Sequence, residues 1–201
     1  MDIIWHGNTC FTIKGKTATL VINPDESIKT SLRGEVVLSS LEEEKLAEVK
    51  DAKKTLDWPG EYEISGVAIS ALSAWTRSRT KEDEGGEKGD KTLIFRIEMD
   101  GVGVCHLGGL GHKLTTEMVE EIGDVDVLMV PVGEKSNLTG KTEEVVEQID
   151  PRVVILMGDE NPENFAKELK AAFGEKQQKY TISSVAKLPE DKTDYIILEK
   201  V

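Results

Sequence analysis

Residues 125–157 read VDVLMVPVGEKSNLTGKTEEVVEQIDPRVVILM. Val125–Val130 and Val153–Met157 read as strands, and their apolar runs VLMV and VVILM are continuous rather than alternating, the pattern of strands buried on both faces. Between them, about Thr142 to Ile149 reads as a helix, so the segment is strand, helix, strand. The rhythm continues with a helix near Glu163 to Phe173, whose start is marked by Asn161 as cap and Pro162 in the first turn. Strands near Tyr180 and Tyr195 follow.

Upstream of this segment the chain is richer in strands. Cys10 to Pro24, CFTIKGKTATLVINP, reads as two strands around the turn Lys14-Gly15-Lys16, and Glu35 to Ser39 as a third. Glu42 to Lys53 is rich in Glu, Lys and Ala with Leu41, Leu46 and Val49 near helical spacing, which predicts a short surface helix. After the break at Trp58-Pro59-Gly60, Glu61 to Leu72 is a strand pair bent at Gly66. Leu93 to Glu98 and Gly103 to Leu107 form a hairpin across Asp100-Gly101. Thr76 to Lys91, TRSRTKEDEGGEKGDK, has no aliphatic residue and is expected to be a mobile loop at a hairpin tip rather than a linker. The expectation is one α/β domain over residues 1–201, a four-layer αββα sandwich of two mixed sheets flanked by helices.

Composition narrows the function. The 201 residues are 38% hydrophobic, enough for a sizeable core, and 25 Lys plus Arg against 38 Asp plus Glu give a formal charge of −13. That charge repels nucleic acid and anionic membranes, and no stretch approaches the length of a membrane span. The two cysteines, Cys10 and Cys105, form neither a disulfide framework nor a zinc ribbon, which fits a reducing, cytoplasmic setting. Only three histidines occur, His6, His106 and His112, which excludes any mechanism needing four.

Local motifs carry little chemistry. Gly140-Lys141-Thr142 follows an apolar strand and opens a helix, as a phosphate loop does, but Lys135 stands where the loop needs its first glycine. Gly108-Gly109-Leu110-Gly111 lacks dinucleotide spacing and reads as a tight connection. His106 and His112 flank it without a chelating spacing. Glu42-Glu43-Glu44 offers carboxylates, yet consecutive helical positions diverge, and Ser40 with Glu43 reads better as a capping box.

The order of several longer motifs nevertheless resembles one family. These are Ile4-Trp5-His6-Gly7-Asn8-Thr9-Cys10-Phe11, Ile22-Asn23-Pro24, Val36-Val37-Leu38-Ser39-Ser40, Pro59-Gly60-Glu61-Tyr62-Glu63 and Cys105-His106-Leu107-Gly108-Gly109-Leu110-Gly111-His112, followed by the two apolar strands. Together they resemble the metallo-β-lactamase superfamily, in particular compact zinc-dependent hydrolases related to the ascorbate-phosphate lactonases. The resemblance implies the αββα fold and a metal site at the strand ends. The family's His-x-His-x-Asp-His loop is replaced here by Leu41-Glu42-Glu43-Glu44-Lys45-Leu46. Its later ligands fall near Trp75 and on Gly109 and Gly158, with Asp159 beside the last.

The resulting expectation is a metal-free relative without the family's hydrolysis, binding a small molecule or a protein in a vestigial cleft lined by Ser39, Ser40, Trp75, Gly109, Gly158 and Asp159. One alternative is a metal-dependent hydrolase whose zinc ligands come from His6, His106, His112, Glu61, Glu63 and Asp159. A weaker one is nucleotide binding through Lys141 and Thr142.

Overall fold

The structure, a computed structural model, describes residues 1–40, 45–76, 90–133, 136, 138, 140–158, 169 and 172–201. The first sheet has the order β14-β1-β2-β3-β5-β7, where β1 is Asp2–Gly7, β2 Cys10–Lys14, β3 Thr19–Ile22, β5 Val36–Leu38, β7 Lys54–Leu56 and β14 Tyr180–Thr181. It is mixed: β14, β1, β2 and β3 pair antiparallel, while β3, β5 and β7 run parallel.

The second sheet has the order β15-β13-β12-β11-β10-β9-β8. Its strands are β8 Gly60–Ile64, β9 Val67–Trp75, β10 Lys91–Met99, β11 Val102–His106, β12 Val127–Pro131, β13 Val153–Met157 and β15 Asp194–Ile196. The antiparallel half, β8 to β11, is a meander. Two of its turns, Ser65-Gly66 and Asp100-Gly101, have positive φ at both central residues, which a type I′ hairpin requires. The parallel half runs from β11 to β13 and β15, and the apolar runs VLMV and VVILM form its strands β12 and β13.

Alternation along the strands divides the core. Ile155, Val153, Met129, Val127 and Ile97 join Trp5, Phe11, Leu20, Ile22 and Leu38 between the sheets. The opposite face of the second sheet, with Leu128, Val130, Val154 and Leu156, is covered by α1 (Thr116–Ile122) and α2 (Thr142–Ile149) through Met118, Val119, Ile122, Val145, Val146 and Ile149. The outer face of the first sheet buries Cys10 and Val21 under Leu32, Ile28 and Val49, where β4 (Leu32–Arg33) pairs in parallel with β6 (Val49–Lys50). The molecule is thus a sandwich of two mixed sheets, as expected, with α1 and α2 outside the second sheet and, among the described residues, the β4–β6 pair outside the first.

Two local expectations are corrected. The helix over 42–53 is not formed from Lys45 onward: Leu46 bridges Asp25, Val49 pairs with Leu32 and Lys54 starts β7. Tertiary pairing of these apolar residues outweighs the helix propensity of Glu, Lys and Ala. β1, where the apolar pattern predicts no strand, pairs with both β2 and β14. The loop over 76–91 joins the antiparallel strands β9 and β10, but residues 77–89 lie outside the described residues, as does most of the expected helix over 163–173.

Candidate functional site

The ends of β3, β5, β11, β12 and β13 meet at one end of the sandwich, where an open sheet with parallel strands offers its crevice. A seam of short polar contacts joins the two sheets there. Asn23, 2% exposed and held at φ 47°, sits one residue past β3. Its Nδ2 donates to Ser40 Oγ at 2.7 Å and to Thr9 Oγ1 at 3.0 Å, while Ser40 N–H donates to Asn23 Oδ1 at 2.7 Å. Leu93 N–H of the second sheet then donates to Ser40 O at 2.8 Å.

Gly108, after β11, closes the seam from the other side. Its φ is +57°, and a Cβ there would lie 2.4 Å from Leu93 O and 2.7 Å from Thr92 Oγ1, so only glycine fits. Gly109 N–H donates to Thr92 Oγ1 at 3.0 Å. The turn Asn8-Thr9 is clamped likewise: Gly158 N–H donates to Asn8 O at 2.8 Å, and His106 Nε2–H to Thr9 O at 3.0 Å.

The residues expected to line the cleft border two cavities. Ser39, Ser40 and Trp75 line one of about 190 Å³, with Asp57, Trp58, Thr92 and Leu93. Gly109 and Gly158 line another of about 620 Å³, with Asn8, Thr9, Asp25, Glu26 and Lys45. Asn23, Thr92 and Leu93 supply the polar and backbone contacts of the seam. Asp159 and Glu42-Glu43-Glu44 lie outside the described residues.

The histidines do not converge. His106, fully buried, accepts from Gly108 N–H at Nδ1, which fixes the Nε2–H tautomer that reaches Thr9. Burial pushes its pKa down to about 4, so the ring is neutral. His6 Nε2 bonds Thr12 Oγ1 at 2.8 Å, and burial lowers its pKa although the Val201 backbone beside it favours the charged form. His112 accepts from Trp75 N–H at Nε2 and donates from Nδ1 to Lys113 O. Glu61 and Glu63 are exposed on β8, an edge strand.

A metal at the family's position therefore lacks donors among the described residues, where no three His, Cys, Asp or Glu come together. Ser, Asn, Thr and Gly occupy the strand ends, and neutral oxygens of this kind hold zinc poorly. The described residues do not fit the ion. Ser40 is no ready nucleophile either, because its Oγ faces an amide donor rather than a base. The phosphate-loop reading fails in geometry too: Thr142 is buried with its hydroxyl donating to Leu138 O, and Lys141 Nζ donates to Gly111 O. Both cysteines are buried, with thiol pKa values pushed up to about 12.

A family profile described as "Beta-lactamase superfamily domain" matches residues 2–158. A UPF0173 metal-dependent hydrolase of Archaeoglobus fulgidus is 29% identical over 123 residues, 56% of this chain and 52% of its own length. The chain thus spans about half the length of the first such relatives. A UPF0173 protein of Pyrococcus furiosus is 27% identical over 203 residues, covering 84% of this chain and 90% of that one. In structure, a Thermotoga maritima protein described as a candidate Zn-dependent hydrolase of the metallo-β-lactamase superfamily superposes with a TM-score of 0.75. It is 27% identical, and the match covers 98% of this chain and 99% of that one. Matched by the profile over most of its length and in fold over nearly all of it, this chain belongs to the β-lactamase superfamily domain family and has the metallo-β-lactamase fold.

Proposed function

We propose that this chain binds a small polar molecule without hydrolysing it, in the cavity of about 620 Å³ at the end of the sandwich. The observation that supports this most is the cavity itself, which opens at the ends of β11, β12 and β13 and is lined by polar and charged side chains. The walls combine the amide of Asn8, hydroxyls of Thr9 and Ser27, carboxylates of Asp25 and Glu26, and the Lys45 ammonium. Such a lining suits a polar ligand of mixed charge, and a volume of this size is typical of small-molecule sites. The reading includes a reducing, cytoplasmic setting and no nucleic-acid or membrane partner. No helix among the described residues is long and apolar enough to cross a membrane.

A second reading is metal-dependent hydrolysis, favoured by the names of the Archaeoglobus and Thermotoga proteins. Its ligand set would have to draw on Asp159 or other residues outside the described ones. Thermal denaturation with and without zinc or manganese, run beside hydrolysis assays on lactone and phosphodiester substrates, separates the two. An unchanged midpoint and no turnover are expected; a rise of several degrees with metal-dependent turnover favours the second reading.

A further inference from the structure

A third cavity, of about 440 Å³, lies where β9 runs on past the end of β8. It is lined by Ser73, Trp75, His112, Lys113, Thr115, Met118 and Lys141. In a chain of charge −13, a described lining with two lysines, a histidine and no carboxylate is unusual. Of the carboxylates on the neighbouring first turns, Glu144 pairs with Lys113 at 2.5 Å, and Glu117 is held by Thr115 and its own backbone N–H. Lys141 is different. Half-buried, its ammonium donates to the carbonyl of Gly111 at 3.1 Å and pairs with no carboxylate among the described residues.

We propose that this cavity binds a small organic anion, a phosphate or carboxylate carried on an apolar or flat body. Lys141 supplies the charge, because an ammonium has three protons and Gly111 takes one. Lys113, shared with Glu144, adds to the positive potential, and the Ser73 hydroxyl offers a further donor. Trp75 and Met118 form the apolar wall, where an indole face accommodates a ring. The segment 111–112 is anchored to Trp75, through Gly111 N–H to Trp75 O and Trp75 N–H to His112, so the wall is preformed. The lysine that looked like part of a phosphate loop thus serves a different pocket, without the glycine cradle.

The test is titration with phenyl phosphate, with benzoate and with neutral benzamide, followed by tryptophan fluorescence and backbone amide NMR. At least one anion is expected to saturate, to move the amides of Ser73, Trp75, His112 and Lys141, and to bind more tightly than benzamide. Lys141→Ala should weaken that anion about tenfold, the worth of one charge-assisted hydrogen bond, whereas Lys141→Arg should stay within about threefold. Lys45→Ala, in the 620 Å³ cavity, should leave it unchanged. Saturation by phenyl phosphate alone assigns a phosphorylated ligand, and by benzoate alone a carboxylic acid. The proposal is overturned by no saturation with either anion, by equal binding of benzamide, or by undiminished binding in Lys141→Ala.

Discussion

Replacing Asn23 with alanine removes the centre of the seam. Three hydrogen bonds go, two of 2.7 Å and one of 3.0 Å, and the buried N–H of Ser40 is left without its partner. A net hydrogen bond is worth about 1 kcal/mol and an orphaned buried donor costs about 1–3 kcal/mol. Alanine must also hold φ 47°, which asparagine tolerates and alanine does not, at about 1 kcal/mol. The expected loss is therefore about 3–5 kcal/mol, or a fall in Tm of roughly 10 °C for a chain of this size. Urea denaturation of wild type, Asn23→Ala and Asn23→Gly measures it. The glycine variant relieves the backbone strain and should fall about 1 kcal/mol less. A loss below about 0.5 kcal/mol for Asn23→Ala, with an unchanged denaturant slope, would refute the idea that these bonds hold the sheets together at the site.

Gly108→Ala should cost more than about 3 kcal/mol or prevent accumulation of folded protein, since its Cβ would meet the Leu93 carbonyl at 2.4 Å; an unchanged denaturation midpoint would contradict this. His106 makes stability depend on pH. Its pKa is near 4 when folded, so as pH falls from about 6.5 toward 4 the unfolded chain takes a proton that the folded one refuses, and up to about 3 kcal/mol is lost. Denaturation at pH 7 and pH 5 should show about 2 kcal/mol of that loss in wild type and less in His106→Gln, with His6 supplying the remainder in the same direction.

Most of the fold was legible because its signals are local. The runs VLMV and VVILM lie inside a sheet covered on both faces, and Asp100-Gly101 turns the expected hairpin with positive φ at both residues. β1 was missed because Trp5-His6-Gly7 breaks its apolar pattern, although Trp5 is in the core. The segment after Ser40 was misread because Glu, Lys and Ala report propensity, whereas Leu46 and Val49 are taken by partners far along the chain. At the site, Ser39, Ser40 and Trp75 border one cavity and Gly109 and Gly158 the neighbouring one. The contacts that shape the site are long-range and not legible locally: Asn23 reaches Ser40 across 17 positions, and Leu93 reaches it from the other sheet. An asparagine before a proline at the end of an apolar strand was the one available hint.

The most direct test of the central claim is the metal content of protein purified without a histidine tag or chelator, measured by elemental analysis and followed by zinc titration calorimetry. Less than about a tenth of an equivalent, with no stoichiometric uptake of added zinc, is the result expected of a site whose strand ends carry Ser, Asn and Gly. One or two equivalents of tightly held zinc, iron or manganese would contradict it and establish the hydrolase reading in its place.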